Sequence, residues 1–212
     1  MAIKLMPNDN NAYIHYFYFE LRLCDCEKMI AIRDQYKWFW EEVDQPLTSY
    51  SLLILLCQKK YSEIAKSADK YWNGDIYMHQ AYPIFFSYLI LKEYSKAERV
   101  VIYTKEHFKL KSIYYIFNGI LKAKQGNVKA TMAMCDSLRN LSGSEYIANA
   151  HFAAIYAALG NKMEMYKYLN MAILSRESLS DWMNMLPDLV PCKDDPEYKK
   201  ITREMWIPRE AD

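Results

Sequence analysis

Apolar residues along the chain recur at the spacing of one helix face, and the alternation expected of a half-buried strand is scarce. They form stretches broken by short polar corners. Asn11 to Leu23 is followed by Glu27 to Trp38 near the start, and Tyr146 to Leu159 by Met163 to Arg176 further on. Each such pair predicts a helical hairpin.

The hairpins keep a common phase. Cys26-Glu-Lys-Met29, Tyr61-Ser-Glu-Ile64, Tyr94-Ser-Lys-Ala97, Val128-Lys-Ala-Thr131 and Lys162-Met-Glu-Met165 each follow a corner, and their first residues lie 35, 33, 34 and 34 apart. The same register, without gaps, superposes Phe17, Leu52, Phe85, Gly119 and Ala153 before the corner. After the corner it superposes Tyr36, Tyr71, Thr104, Leu138 and Ala172. A hairpin of about 34 residues cannot bury its apolar face alone, so five in phase are expected to stack around a continuous core. Gly126-Asn127 and Gly160-Asn161 suit the left-handed conformation that ends a helix. The corners at Cys24-Asp25, Lys59-Lys60 and Lys92-Glu93 have no glycine, so that signal is partial.

A period near 34 with this layout resembles the tetratricopeptide repeat (TPR) family over almost the entire chain. The residues that carry the likeness are Tyr115 with Asn118-Gly119, Tyr94 with Ala97, Ala172, and the opening phrase from Ala2 to Pro7 and Asp9. The resemblance implies an all-α fold, a right-handed superhelix of stacked helical hairpins with a C-terminal capping helix. The opening phrase reads as the last turn of a preceding repeat followed by its Pro, which implies the C-terminal portion of a longer protein. The expected organisation is the end of that earlier repeat over 1–9, five hairpins over 10–177 and a capping segment over 178–212. In the last of these, Asp195 is placed to cap a short helix with Pro196 at its first position and Glu197 in its first turn. Tyr198, Ile201 and Met205 then share one helix face that would close the last hairpin.

That ending, with Ala157-Ala-Leu-Gly160 and Met165-Tyr-Lys-Tyr-Leu169 before it, is similar to the C-terminal repeats of bacterial regulators, such as OmpR/ToxR-like activators of the HilA and CadC types. Lys193 stands where such endings usually have Arg, and Tyr198 where they usually have Phe. In that group the repeats follow an N-terminal winged helix that binds DNA or another signalling domain. The same ending also follows kinase and cyclase domains. The resemblance implies a protein-interaction or regulatory region of a transcription regulator.

Composition agrees with helices and narrows the partners. Of 212 residues 52% are apolar, enough for a sizeable core, while 5 Gly and 7 Pro are too few for a turn-dense sandwich or barrel. Lys+Arg number 27 against 26 Asp+Glu, and a net charge of +1 offers no field to attract nucleic acid or cations. Uncharged stretches such as His79 to Leu91 and Ile147 to Asn161 are shorter than the roughly 18 residues of a membrane span. Cys24, Cys26, Cys57, Cys135 and Cys192 form an odd set without a CxxC pair, which suits reduced thiols in a cytoplasm. The alternative location is the periplasmic portion of a membrane-anchored regulator.

Motifs for catalysis are lacking. His15, His79, His107 and His151 are dispersed, and no HExxH motif, phosphate loop or nucleophile elbow is present, so no enzyme activity and no cofactor are expected. Cys24-Asp25-Cys26 has too short a spacer for a zinc site and reads as semi-buried corner thiols. Asp188, Asp194 and Asp195 read as caps or solvated carboxylates, and the cluster Lys105, His107, Lys109 and Lys111 as a solvated loop.

The TPR likeness directs attention to the first helix of each hairpin, which in that family lines a concave groove that contacts peptides or partner helices. The corresponding positions hold Tyr18, Leu21 and Arg22; Tyr50, Leu53 and Cys57; Tyr82, Phe86 and Leu89; and Ile116, Ile120 and Lys124. With only Arg22 and Lys124 charged, a clamp for peptide carboxylates is disfavoured, and an apolar, aromatic groove for a protein partner or a second copy is expected. The alternative is a sensor in which a small apolar molecule occupies the groove and controls an attached output domain.

Overall fold

A computed structural model describes residues 10–23, 25–35, 49–72, 76–175, 177 and 194–206. Among these residues there are eleven α-helices and no strand, so the protein is all-α. The helices are α1 (Asn10–Leu23), α2 (Cys26–Gln35), α3 (Ser49–Cys57), α4 (Tyr61–Tyr71), α5 (Met78–Ile90), α6 (Tyr94–His107), α7 (Lys111–Lys124), α8 (Val128–Leu141), α9 (Asn149–Ala158), α10 (Lys162–Leu174) and α11 (Pro196–Trp206). The chain divides into two compact units, Met1–Glu93 and Tyr94–Asp212.

The even-numbered helices α2 to α10 begin at Cys26, Tyr61, Tyr94, Val128 and Lys162, the residues that define the sequence period. The periodic columns are core positions. Phe17, Leu52, Phe85, Gly119 and Ala153 are buried, as are Met29, Ile64, Ala97, Thr131 and Met165. Thr104, Leu138 and Ala172 are buried too, whereas Tyr36 and the Tyr71 side chain lie outside the described residues.

One backbone bond recurs at every corner. The amides of Asp25, Lys60, Glu93, Asn127 and Asn161 donate to the carbonyls of Glu20, Leu55, Tyr88, Lys122 and Tyr156, at 2.8 to 3.0 Å. Each satisfies a carbonyl that the end of a helix leaves without an intrahelical partner. Gly126 and Gly160 reach the turn with φ of 75°, and Lys59 and Lys92 with φ of 59°. The partial glycine signal therefore conceals a uniform geometry, since two lysines take on the left-handed cost that glycine avoids. The following helix is capped by the side chains of Asp25, Asn127 and Asn161, which accept from the amides of Lys28, Ala130 and Glu164.

In the first unit each helix from α1 to α5 packs on the next, and α3 also packs on α5. In the second unit the same pattern joins α6 to α10, α7 also packs on α9, and α11 packs on α10. Gly119 permits the α7–α9 approach: a Cβ there would lie 3.1 Å from Ile155 Cδ1 and 3.4 Å from Met134 Cβ. Among the described side chains of α11, Tyr198 and Ile201 are buried, and Asp195 accepts from the Glu197 amide at the helix start. Met205's side chain and the rest of the capping segment, 178–193 and 207–212, lie outside the described residues, as do 1–9.

Two local expectations are corrected. The fifth hairpin's first helix begins at Asn149, not Tyr146, because the Glu177 carboxylate accepts from the Asn149 and Ala150 amides and fixes the N-terminus there. Glu145 does the same for α7, accepting from the Lys111 and Ser112 amides at 3.0 and 3.1 Å. In both cases a carboxylate that follows a hairpin closes onto its first helix. Secondly, Cys26 and Cys57 are not reduced thiols but form a disulfide. It ties the first residue of α2 to the last residue of α3, two ends that meet only when the hairpins stack.

Candidate functional site

The aromatic residues among the expected groove positions, Tyr18, Tyr50, Tyr82 and Phe86, all lie in the first unit. Phe17 is fully buried beneath Tyr50, with ring centres 5.1 Å apart and edge to face. Tyr18 from α1 also meets Phe17, at 6.2 Å, and lies 6.3 Å from Tyr50 of α3 and 6.2 Å from His79 of α5. Tyr18 and Tyr50 are half-buried and His79 is exposed. Further along α5, half-buried Tyr82 is 6.2 Å from Phe86, which stands edge to face with Phe85 at 5.4 Å. Three helices thus present a row of rings on a packed aromatic base, at separations where edge and tilted contacts are favourable.

The row carries no net charge at neutral pH. Burial raises the Tyr50 hydroxyl above its ordinary value and lifts Tyr82 to about 12, so both stay protonated. Partial desolvation beside the neighbouring rings also lowers His79, which favours the neutral imidazole. Such a surface can bury apolar area and offer hydroxyl and imidazole hydrogen bonds at its rim.

The residues singled out in the sequence divide by depth. Leu21, Leu53, Phe86, Leu89 and Ile120 are buried, at most 5% exposed, and act as supports. Tyr18, Tyr50, Tyr82 and Lys124 are half-buried. The Arg22 side chain lies outside the described residues. Ile116, Ile120 and Lys124 belong to α7 in the second unit, the other positions to the first. His79 was absent from the groove positions, although it precedes Tyr82 by three residues and Phe86 by seven, a helical spacing that could have placed it there.

A second aromatic cluster, in the second unit, is structural. Arg139 Nη1 donates to Asp136, and Nη2 donates to the hydroxyls of Tyr156 and Tyr168 at 3.3 and 3.2 Å. The guanidinium lies 5.4 Å from the Phe152 ring, and Tyr168 stacks on both Phe152 and Tyr156. These contacts join α8, α9 and α10. Nearby Cys135 is buried, which pushes its thiol up to about 11 and leaves it unreactive.

Among the described residues, no group of three or more His, Cys, Asp or Glu side chains is placed to hold a metal ion, and no helix is long and apolar enough to cross a membrane. Comparison of the chain with family models, with curated proteins and with solved structures finds no match in any of the three.

Proposed function

We propose that the chain is a TPR-like interaction module of a bacterial transcription regulator, its hairpins stacked as a right-handed superhelix, and that the Tyr18–Tyr50–His79 row receives a second copy of the chain. The observation that carries this reading is the row itself: neutral, partly exposed rings from three helices, held on a buried aromatic base without catalytic groups. The constant phase of helix starts and the identical corner bonds support the stacked arrangement. Aromatic side chains fixed in position lose little entropy on binding and are enriched among residues that dominate interface energies. Recognition would proceed by burial of apolar surface over the row, with rim charges setting orientation.

Sedimentation velocity over a concentration series tests this. The wild-type chain is expected to dimerise, and Tyr18→Ala with Tyr50→Ala to weaken the dimer by at least about 30-fold, the effect of losing roughly 2 kcal/mol at an anchor. A chain that stays monomeric throughout would overturn self-association. Retention of a small apolar molecule in native mass spectrometry, lost in the same double variant, would replace it with the sensor reading.

A further inference from the structure

We propose that the Cys26–Cys57 disulfide is a reducible clasp that sets the affinity of the aromatic row; the affinity part rests on the function proposed above. The bond lies beside the row's supports. Cys57 ends α3, the helix that carries Tyr50, and Cys26 opens α2, which is joined to α1 and Tyr18 by the Asp25 corner. Both cysteines are half-buried, unlike the supports Phe17, Leu21, Leu52 and Leu53 of α1 and α3, which are at most 2% exposed. Disulfides within reach of solvent are the labile and regulatory ones, and those that work in a reducing compartment are transient.

Placement at helix ends makes release productive. Attack by the thiolate of a dithiol reductant on Cys57 Sγ forms a mixed disulfide and expels Cys26 as thiolate. The second thiol of the reductant then attacks the mixed disulfide and releases Cys57. Two electrons pass from the dithiol, which leaves as a disulfide, and its two protons end on Cys26 and Cys57. The cut falls between the ends of two helices, next to the corner where Lys59 already holds a left-handed conformation. The buried contacts of α1 with α2 and of α3 with α4 remain, so reduction frees one hairpin to shift against the next without unfolding either. Tyr18 and Tyr50 belong to different hairpins, and their separation is what the shift changes.

The experiment compares the full chain oxidised and treated with dithiothreitol, with Cys57→Ser as a permanently open variant. Three readouts are taken: helicity by circular dichroism, amide hydrogen exchange of α1 to α3, and the dimer Kd by sedimentation. The expected result is unchanged helicity, faster exchange at the facing ends of α2 and α3, and a dimer weakened roughly 5- to 150-fold in both open forms. Faster exchange with retained helicity but no dimer under either condition would support the clasp and overturn self-association separately. Equal exchange and equal Kd in the two redox states would overturn the clasp. Loss of helicity on reduction, or a bond that resists dithiothreitol in the folded chain, would overturn it as well by making the disulfide a fixed structural staple.

Discussion

Lys59, at the corner between α3 and α4, and Gly126, at the corner between α7 and α8, perform the same geometric task with different chemistry. Both take positive φ, 59° and 75°, and both are followed by an amide that bonds back five residues. At the second corner glycine makes the conformation inexpensive and Asn127 caps the next helix. At the first, lysine is strained and Lys60 has no side-chain cap. Longer-range closure differs as well. Hairpins of the second unit are closed by the Glu145 and Glu177 carboxylates over α7 and α9, whereas two hairpins of the first are joined by a covalent bond. One repeat geometry is therefore held by hydrogen bonds and charge in one place and by sulfur in the other, and the two should fail under different stresses.

Acid is the harshest test of that difference. His151, in the first turns of α9, is lowered to about 4 by burial, against an opposing pull from Glu177. The unfolded chain binds a proton near pH 6.5 that the folded ring refuses, so stability is full above 6.5 and falls as pH drops toward 4. At 1.36 kcal/mol per unit the loss reaches roughly 3 kcal/mol. Amide protection factors, which divide out the intrinsic pH dependence of exchange, should fall first in α9 between pH 7 and 4, and His151→Gln should flatten the dependence. Earlier loss of protection in α3 and α4 would break the comparison.

A smaller effect is expected from the carboxylate closures. Burial alone would raise Glu145, but hydrogen bonds from Ser112 and Lys111 outweigh it and hold the carboxyl below its ordinary value of 4.5. Its contribution is thus present above that pH and is lost as pH falls through the lowered value. Glu145→Gln should cost about 1 kcal/mol in urea unfolding, typical of a lost helix cap, with faster exchange confined to the start of α7.

The mildest change sharpens the contrast at the corners themselves. Lys59→Gly removes left-handed strain and should stabilise the chain by about 0.5–1 kcal/mol, seen as a raised Tm. Gly126→Lys, the reverse exchange, should lower it by a similar amount.

Which features were legible follows from how far apart the responsible atoms are. The corners around Cys26, Tyr61, Tyr94, Val128 and Lys162 were readable from the chain, with the helices after the first and last placed one residue late at Glu27 and Met163, because a repeating apolar column and a corner are local patterns that intrahelical hydrogen bonds enforce. The alignment also marked Gly119 and Ala153 as equivalent to Phe17, though only the close approach of Ile155 explains why glycine stands there. Of the candidate site, the choice of Tyr18, Tyr50 and Tyr82 came from register. Register could not separate them from Leu21 and Leu53 on the same helices, since exposure depends on which neighbouring helix covers each position. His79 joins the row through Tyr18, a residue 61 positions away, and Cys26 meets Cys57 across 31. Glu145 and Glu177 find their helix ends 34 and 28 residues back. Local patterns in the chain were enough to place the corners and the apolar face of each helix, though not the start of α9, which Glu177 fixes from a distance. Tertiary structure alone decided which of those faces stay open, which thiols pair and which carboxylate reaches which amides. Those outcomes depend on distances between elements, and such distances exist only once the hairpins have packed.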